Sequence, residues 1–111
     1  MKEALMPFTG EEDHSISLGD AAELTKNYRT SAGAGAVLGG YFSKAALEGI
    51  LSQDGNVGIR VYFAQIASGT KTIVLVGVNE DGEDLTEGEI AEHPIACPPY
   101  CPVASELNGT A

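Results

Sequence analysis

His93, Cys97 and Cys101 follow one another at intervals of four residues and form the densest group of soft or borderline ligands in the chain. On a helix this spacing would line one face. Pro94, Pro98 and Pro99 forbid that helix, so only a loop folding back could gather the three side chains. Two thiolates and an imidazole suit tetrahedral zinc, with His14 or an acid as fourth ligand. Half of such a site is visible, because there is no second Cys pair. As a redox dithiol, Cys97-Pro98-Pro99-Tyr100-Cys101 is one residue longer than the C-x-x-C of thioredoxin-like chemistry, which works at a helix N-terminus. The structural alternative is that the two cysteines bury as small hydrophobes or close a short disulfide loop that pins the C-terminal arm.

A second group is acidic. Glu80, Asp81, Glu83, Asp84, Glu87, Glu89 and Glu92 lie within thirteen residues that contain no Lys or Arg, whereas residues 14–72 hold four acids and five bases. Around Gly82, Asp81 and Asp84 are candidate oxygen ligands for calcium. The EF-hand order fails, because its glycine follows three alternate ligand positions and is trailed by a bidentate Glu. Two other readings remain: a solvated hairpin that discourages wrong strand pairing, and a docking surface on which Glu80, Asp81, Glu83, Asp84 and Glu87 meet a basic protein.

The third group is Gly33-Ala34-Gly35-Ala36-Val37-Leu38-Gly39-Gly40. It lacks the third glycine of a dinucleotide fingerprint, follows a helix rather than a strand, and ends in Tyr41 and Phe42 where a P-loop needs Lys and Ser or Thr. A linker, a close backbone approach, or the mobile lid of an enzyme are the choices left. There is no Gly-x-Ser-x-Gly, the two histidines are far apart, and no residue is assigned a catalytic role.

The elements that must position these groups follow from periodicity. Residues 1–15 read as an arm. Ser17 is an N-cap, with Leu18, Ala21, Ala22, Thr25 and Tyr28 on one helical face. Ser43 caps a second helix carrying Ala46, Leu47, Ile50 and Leu51, stopped by Gln53-Asp54-Gly55-Asn56. From Val57 the period becomes 2, with Val57, Ile59, Val61 and Phe63 on one face and Arg60, Tyr62 and Ala64 on the other. Thr72 to Asn79 is a nearly continuous β-branched run, expected to pair antiparallel with the first strand and to be covered on both faces. A third short strand is expected around Asp84 to Thr86, and the prolines from Pro94 onward are expected to exclude regular structure. The expected fold is therefore α+β: two N-terminal helices, a small antiparallel sheet and an irregular Pro-rich C-terminal arm. Residues 16–102 form a single domain in this reading, and residues 103–111 a flexible tail.

Taken in order, Gln53-x-Gly55-x-x-Gly58-Ile59-Arg60-x-Tyr62, then Leu75-Val76-Gly77-Val78-x-x-x-Gly82-x-Asp84-Leu85, then Cys97-Pro98-Pro99-x-Cys101 resembles a group of small bacterial proteins with no attached function. The likeness runs from about Ile16 to Cys101. Members often carry a Cys just before the Gly-Ile-Arg strand, where this chain has Asn56, which removes one possible thiol partner and weakens the case for a shared metal site.

Composition bounds the function. At 111 residues, 43% of them hydrophobic, the chain is of single-domain size and can form a core. Sixteen acids against six bases give a formal charge of -10, the wrong sign for binding nucleic acid. The longest apolar run, Ile73 to Val78, is strand-sized, so no membrane partner is expected. Without a signal-peptide core the expected compartment is the cytoplasm. A lone two-stranded hairpin is marginal in water, which predicts added strands, cover by helices and a homo-oligomer. The function expected is that of a small non-enzymatic interaction or accessory subunit, self-associating, with no cofactor. The alternative is a metal-binding (zinc or calcium) or thiol-redox protein centred on His93, Cys97 and Cys101.

Overall fold

The computed structural model describes residues 8–111 and is α+β. The elements run α1 (Leu18–Ala32), β1 (Gly39–Tyr41), α2 (Lys44–Leu51), β2 (Gly58–Gln65), β3 (Lys71–Val78), β4 (Ile90–Ala91) and β5 (Ile95–Cys97). They form two antiparallel sheets, β2-β3-β4 and β1-β5. Two compact units result. One comprises Phe42–Pro94 with residues 8–12, and the other Asp13–Tyr41 with Ile95–Ala111. The first seven residues of the expected N-terminal arm lie outside the described residues.

In the first unit, β2 and β3 pair from Gly58↔Val78 to Gln65↔Lys71. The turn between them closes on Thr70, whose carbonyl accepts from the Ile66 N–H, and on Gly69 at φ 96°, which favours glycine. The register sets Ile59, Val61 and Phe63 on the face of Ile73 and Leu75, and Arg60 and Tyr62 on the face of Val74 and Val76, as the period-2 pattern predicts. α2 starts where Ser43 Oγ accepts from the Ala46 N–H at 3.1 Å. It packs against β2 and β3. Among the described residues the buried hydrophobic side chains are Ile50, Leu75, Val76 and Val78, so the apolar run of β3 is sheltered on both faces at its C-terminal end. Just past α2, Gln53 fastens the helix end to the following loop: its Nε2 donates to Ile50 O at 2.8 Å, and its Oε1 accepts from Glu89 N at 2.7 Å.

The third strand is not where periodicity placed it. Asp84 makes only an isolated bridge with Val78, Leu85 N donates to Gly77 O, and the chain turns again through Gly88 before Ile90 and Ala91 pair with Val76 and Leu75.

In the second unit, Ser17 Oγ accepts from Asp20 N at 3.0 Å and opens α1, and Gly33, at φ 85°, closes it by donating to Arg29 O. Of the expected apolar stripe, Ala21, Ala22 and Thr25 are half-buried, while Leu18 and Tyr28 are exposed. Part of the glycine-rich connection becomes β1, which falls between α1 and α2 in chain order and pairs with β5 through Gly39↔Cys97, Gly40↔Ala96 and Tyr41↔Ile95. A Cβ at Gly33, Gly35 or Gly39 would meet nothing within 4 Å, so these glycines do not serve close packing. β5 also corrects the expectation that the prolines exclude regular structure. Pro94 precedes it and Pro98 follows it, which leaves the three intervening N–H groups able to pair.

Candidate functional site

Two side chains on one face of the β2-β3-β4 sheet, Arg60 and Tyr62, hold the acidic hairpin in place. Arg60 Nη1 donates to Asp84 Oδ1 at 2.5 Å and to Gly82 O at 3.1 Å, and the Tyr62 hydroxyl donates to Asp84 Oδ2 at 2.5 Å. The guanidinium also lies 5.6 Å from the centre of the Phe8 ring. Phe8 N donates to Glu80 O at 2.9 Å, which brings the ring beneath Gly82. The Asp84 bond raises the Tyr62 hydroxyl pKa above its ordinary value of 10.0, because the neutral phenol is the donor. At the tip, Asn79 Oδ1 accepts from the N–H groups of Asp81 and Glu83, both at 3.0 Å, and Gly82 takes φ 81°. The local Asn-to-backbone bonds therefore form the turn, and Arg60 fixes its position on the sheet.

This geometry separates the acidic candidates. Glu80, Asp81, Glu83 and Glu87 are exposed, whereas Asp84 is turned inward and spends both carboxylate oxygens on Arg60 and Tyr62. Glu83 Oε1 accepts from Asn79 Nδ2 at 3.0 Å. Among the described residues no group of three or more His, Cys, Asp or Glu is arranged to hold a metal ion. His93 sits in the first unit at φ 66°, its Nδ1 3.1 Å from Glu92 Oε1. Cys97 and Cys101, in the second unit, are joined in a disulfide with Cα atoms 4.7 Å apart. No helix among the described residues is long and apolar enough to cross a membrane.

Glu92 accepts from the His93 backbone N–H and from Thr72 Oγ1 at 2.9 Å, which together hold its carboxyl below the ordinary value of 4.5. A carboxylate with a lowered folded-state pKa adds stability that is present above the unfolded value and is lost as pH falls through the folded one. Replacing Thr72 with Val is expected to move the Glu92 titration, followed by carboxyl NMR, back toward 4.5. An unchanged titration would show that the hydroxyl plays no part.

The strand that bears Arg60 and Tyr62, β2, also carries an exposed apolar surface. β2 is the terminal strand in the order β2-β3-β4, and Val61, Tyr62, Phe63 and Ile66 are exposed along it, Phe63 at 93%. Alternation puts Arg60 and Tyr62 on one face of the strand but does not single them out as partners of Asp84. A pointer was present, because Arg60 is one of only two charged residues between Gly55 and Asn79. Compared with known proteins, the chain matches no protein family, no curated protein and no solved structure, so the functional reading rests on the surfaces described above.

Proposed function

We propose that this chain is a small non-enzymatic interaction or accessory subunit that self-associates and presents the hairpin of Glu80, Asp81, Glu83 and Glu87 to a basic protein partner. The observation that carries the reading is the imbalance of its apolar surface. Among the described residues four hydrophobic side chains are buried, while sixteen large ones are exposed. Scattered exposed apolar residues are ordinary, but Val61 and Phe63 are exposed as neighbours on one face of a terminal strand, where a contact surface is expected. The acidic segment would add steering toward a partner of opposite charge. In finer detail, the proposed architecture keeps the sheet covered by helical elements and an outward C-terminal arm, working in the cytoplasm. Sedimentation equilibrium over a dilution series tests the central point. The expected mass exceeds the 11.5 kDa of one chain and falls on dilution, whereas a concentration-independent single-chain mass would overturn the reading.

The second reading, a metal-binding or thiol-redox protein centred on His93, Cys97 and Cys101, gains support only in its thiol half, from the disulfide. The two readings part on one double variant. Replacing Cys97 and Cys101 with Ser is expected to cost about 2 kcal/mol of stability or less, since a loop this short restricts the unfolded chain modestly. The sedimentation profile should stay unchanged. Loss of assembly together with loss of a thiol-dependent activity would favour the second reading.

A further inference from the structure

We infer that β2 is the edge through which self-association occurs, two copies pairing antiparallel along Gly58–Gln65 so that their three-stranded sheets join into one of six strands. This rests on the proposed self-association and names its surface.

Three observations select this edge and this occupant. The first is the absence of guards. Edge strands are normally protected by Pro, Lys, a bulge or an inward charge. β2 pairs with β3 over eight uninterrupted positions, contains no Pro or Lys, and its one charged side chain, Arg60, is committed to Asp84 and to Gly82 O. β4, at the far edge, is only two residues long.

The second observation is self-complementarity. A two-fold axis perpendicular to a sheet maps each face onto itself, so residues that oppose one another across the new edge must share a face. With Val61 on the axis, Phe63 opposes Ile59 of the second copy and Arg60 opposes Tyr62. With Tyr62 on the axis, Phe63 opposes Val61 and Arg60 opposes Ala64. Both registers set Phe63 against an apolar residue of the second copy, and neither opposes like charges. Either would cover Phe63, which a single copy leaves 93% exposed.

The third observation is charge. A chain of net charge -10 repels its own copy except where acids are missing. Residues 55–79, which include the whole β2-β3 hairpin, contain no acid. The seven acids of residues 80–92 follow that hairpin, in the β3–β4 connection and beside β4. Pairing through β2 thus sends the two acidic segments to opposite rims of the joined sheet, where each stays open to a basic partner. Pairing through β4 would bring them together.

The test uses the full chain. Phe63→Lys alters a side chain that a single copy does not bury, so at a dilution where the wild type is also single the two melting temperatures should agree, while self-association by sedimentation velocity weakens about tenfold or more. Val61→Cys and Tyr62→Cys test the pairing directly: whichever residue lies on the axis should form a covalent dimer under mild oxidation. Unchanged self-association in Phe63→Lys, with neither cysteine variant cross-linking, would overturn the β2 edge and leave the proposed function standing. A wild-type chain that stays single at every concentration would overturn both.

Discussion

Replacing Ile50 with Ala is expected to destabilise the first unit by about 3 kcal/mol, within the range found when a buried aliphatic side chain is truncated and its cavity stays open. Ile50 is the most deeply buried large side chain of the described residues, at 1% exposure, and it comes from the last turn of α2, which packs on β2 and β3. Among the described residues Leu75, Val76 and Val78 are the other buried hydrophobic side chains, so Ile50 is a large share of a small core. The loss should spread to Gln53, whose amide is anchored on the Ile50 carbonyl and reaches Glu89 N. Urea unfolding followed by circular dichroism measures the effect. A loss below about 1 kcal/mol would mean that this small core is not what holds α2 to the sheet.

Asp84→Ala should have the next largest effect, a loss of about 2 kcal/mol or more, because it removes the acceptor of two hydrogen bonds, one of them from a charged donor. Arg60 and Asp84 retain 31% and 22% side-chain exposure, which keeps the expected loss below that for breaking a fully buried pair. The companion substitution Arg60→Met, made alone and with Asp84→Ala, completes a cycle whose coupling reports the pair itself. There is also a pH signature. The folded-state pKa of Tyr62 is raised by its bond to Asp84, so its contribution is present below the ordinary value of 10.0 and is lost as pH rises through the folded value. Asp84→Ala should flatten that alkaline limb. A variant as sensitive to alkali as the wild type would show that Tyr62 is not held by Asp84.

Local chemistry explains which parts of this fold could be read from the residues alone. Ser17 and Ser43 cap helices through bonds to the third residue beyond, a short-range rule that tertiary context leaves intact. The β2-β3 register follows from alternation and from a turn with Gly69 at positive φ. What escaped reading depends on partners distant in sequence. β1 and β5 are three residues each and form only because Gly39–Tyr41 meets Ile95–Cys97, a pairing that no window of neighbouring residues encodes. The third strand slipped from Asp84 to Ile90 because Asp84 is drawn across the sheet to Arg60, and the chain needs a further turn through Gly88 before it pairs again. The candidate site was legible in its charges. That Asp84 faces inward while Glu80, Asp81 and Glu83 face solvent depends on where the sheet places Arg60 and Tyr62.

Amide hydrogen exchange across a concentration series asks most directly whether this protein works through the edge it leaves open. The amides of Gly58–Gln65 should become markedly more protected as concentration rises, while those of β3, already bonded on both sides where β4 meets it, change little. Protection in β2 that is the same from dilute to concentrated solution would contradict the account.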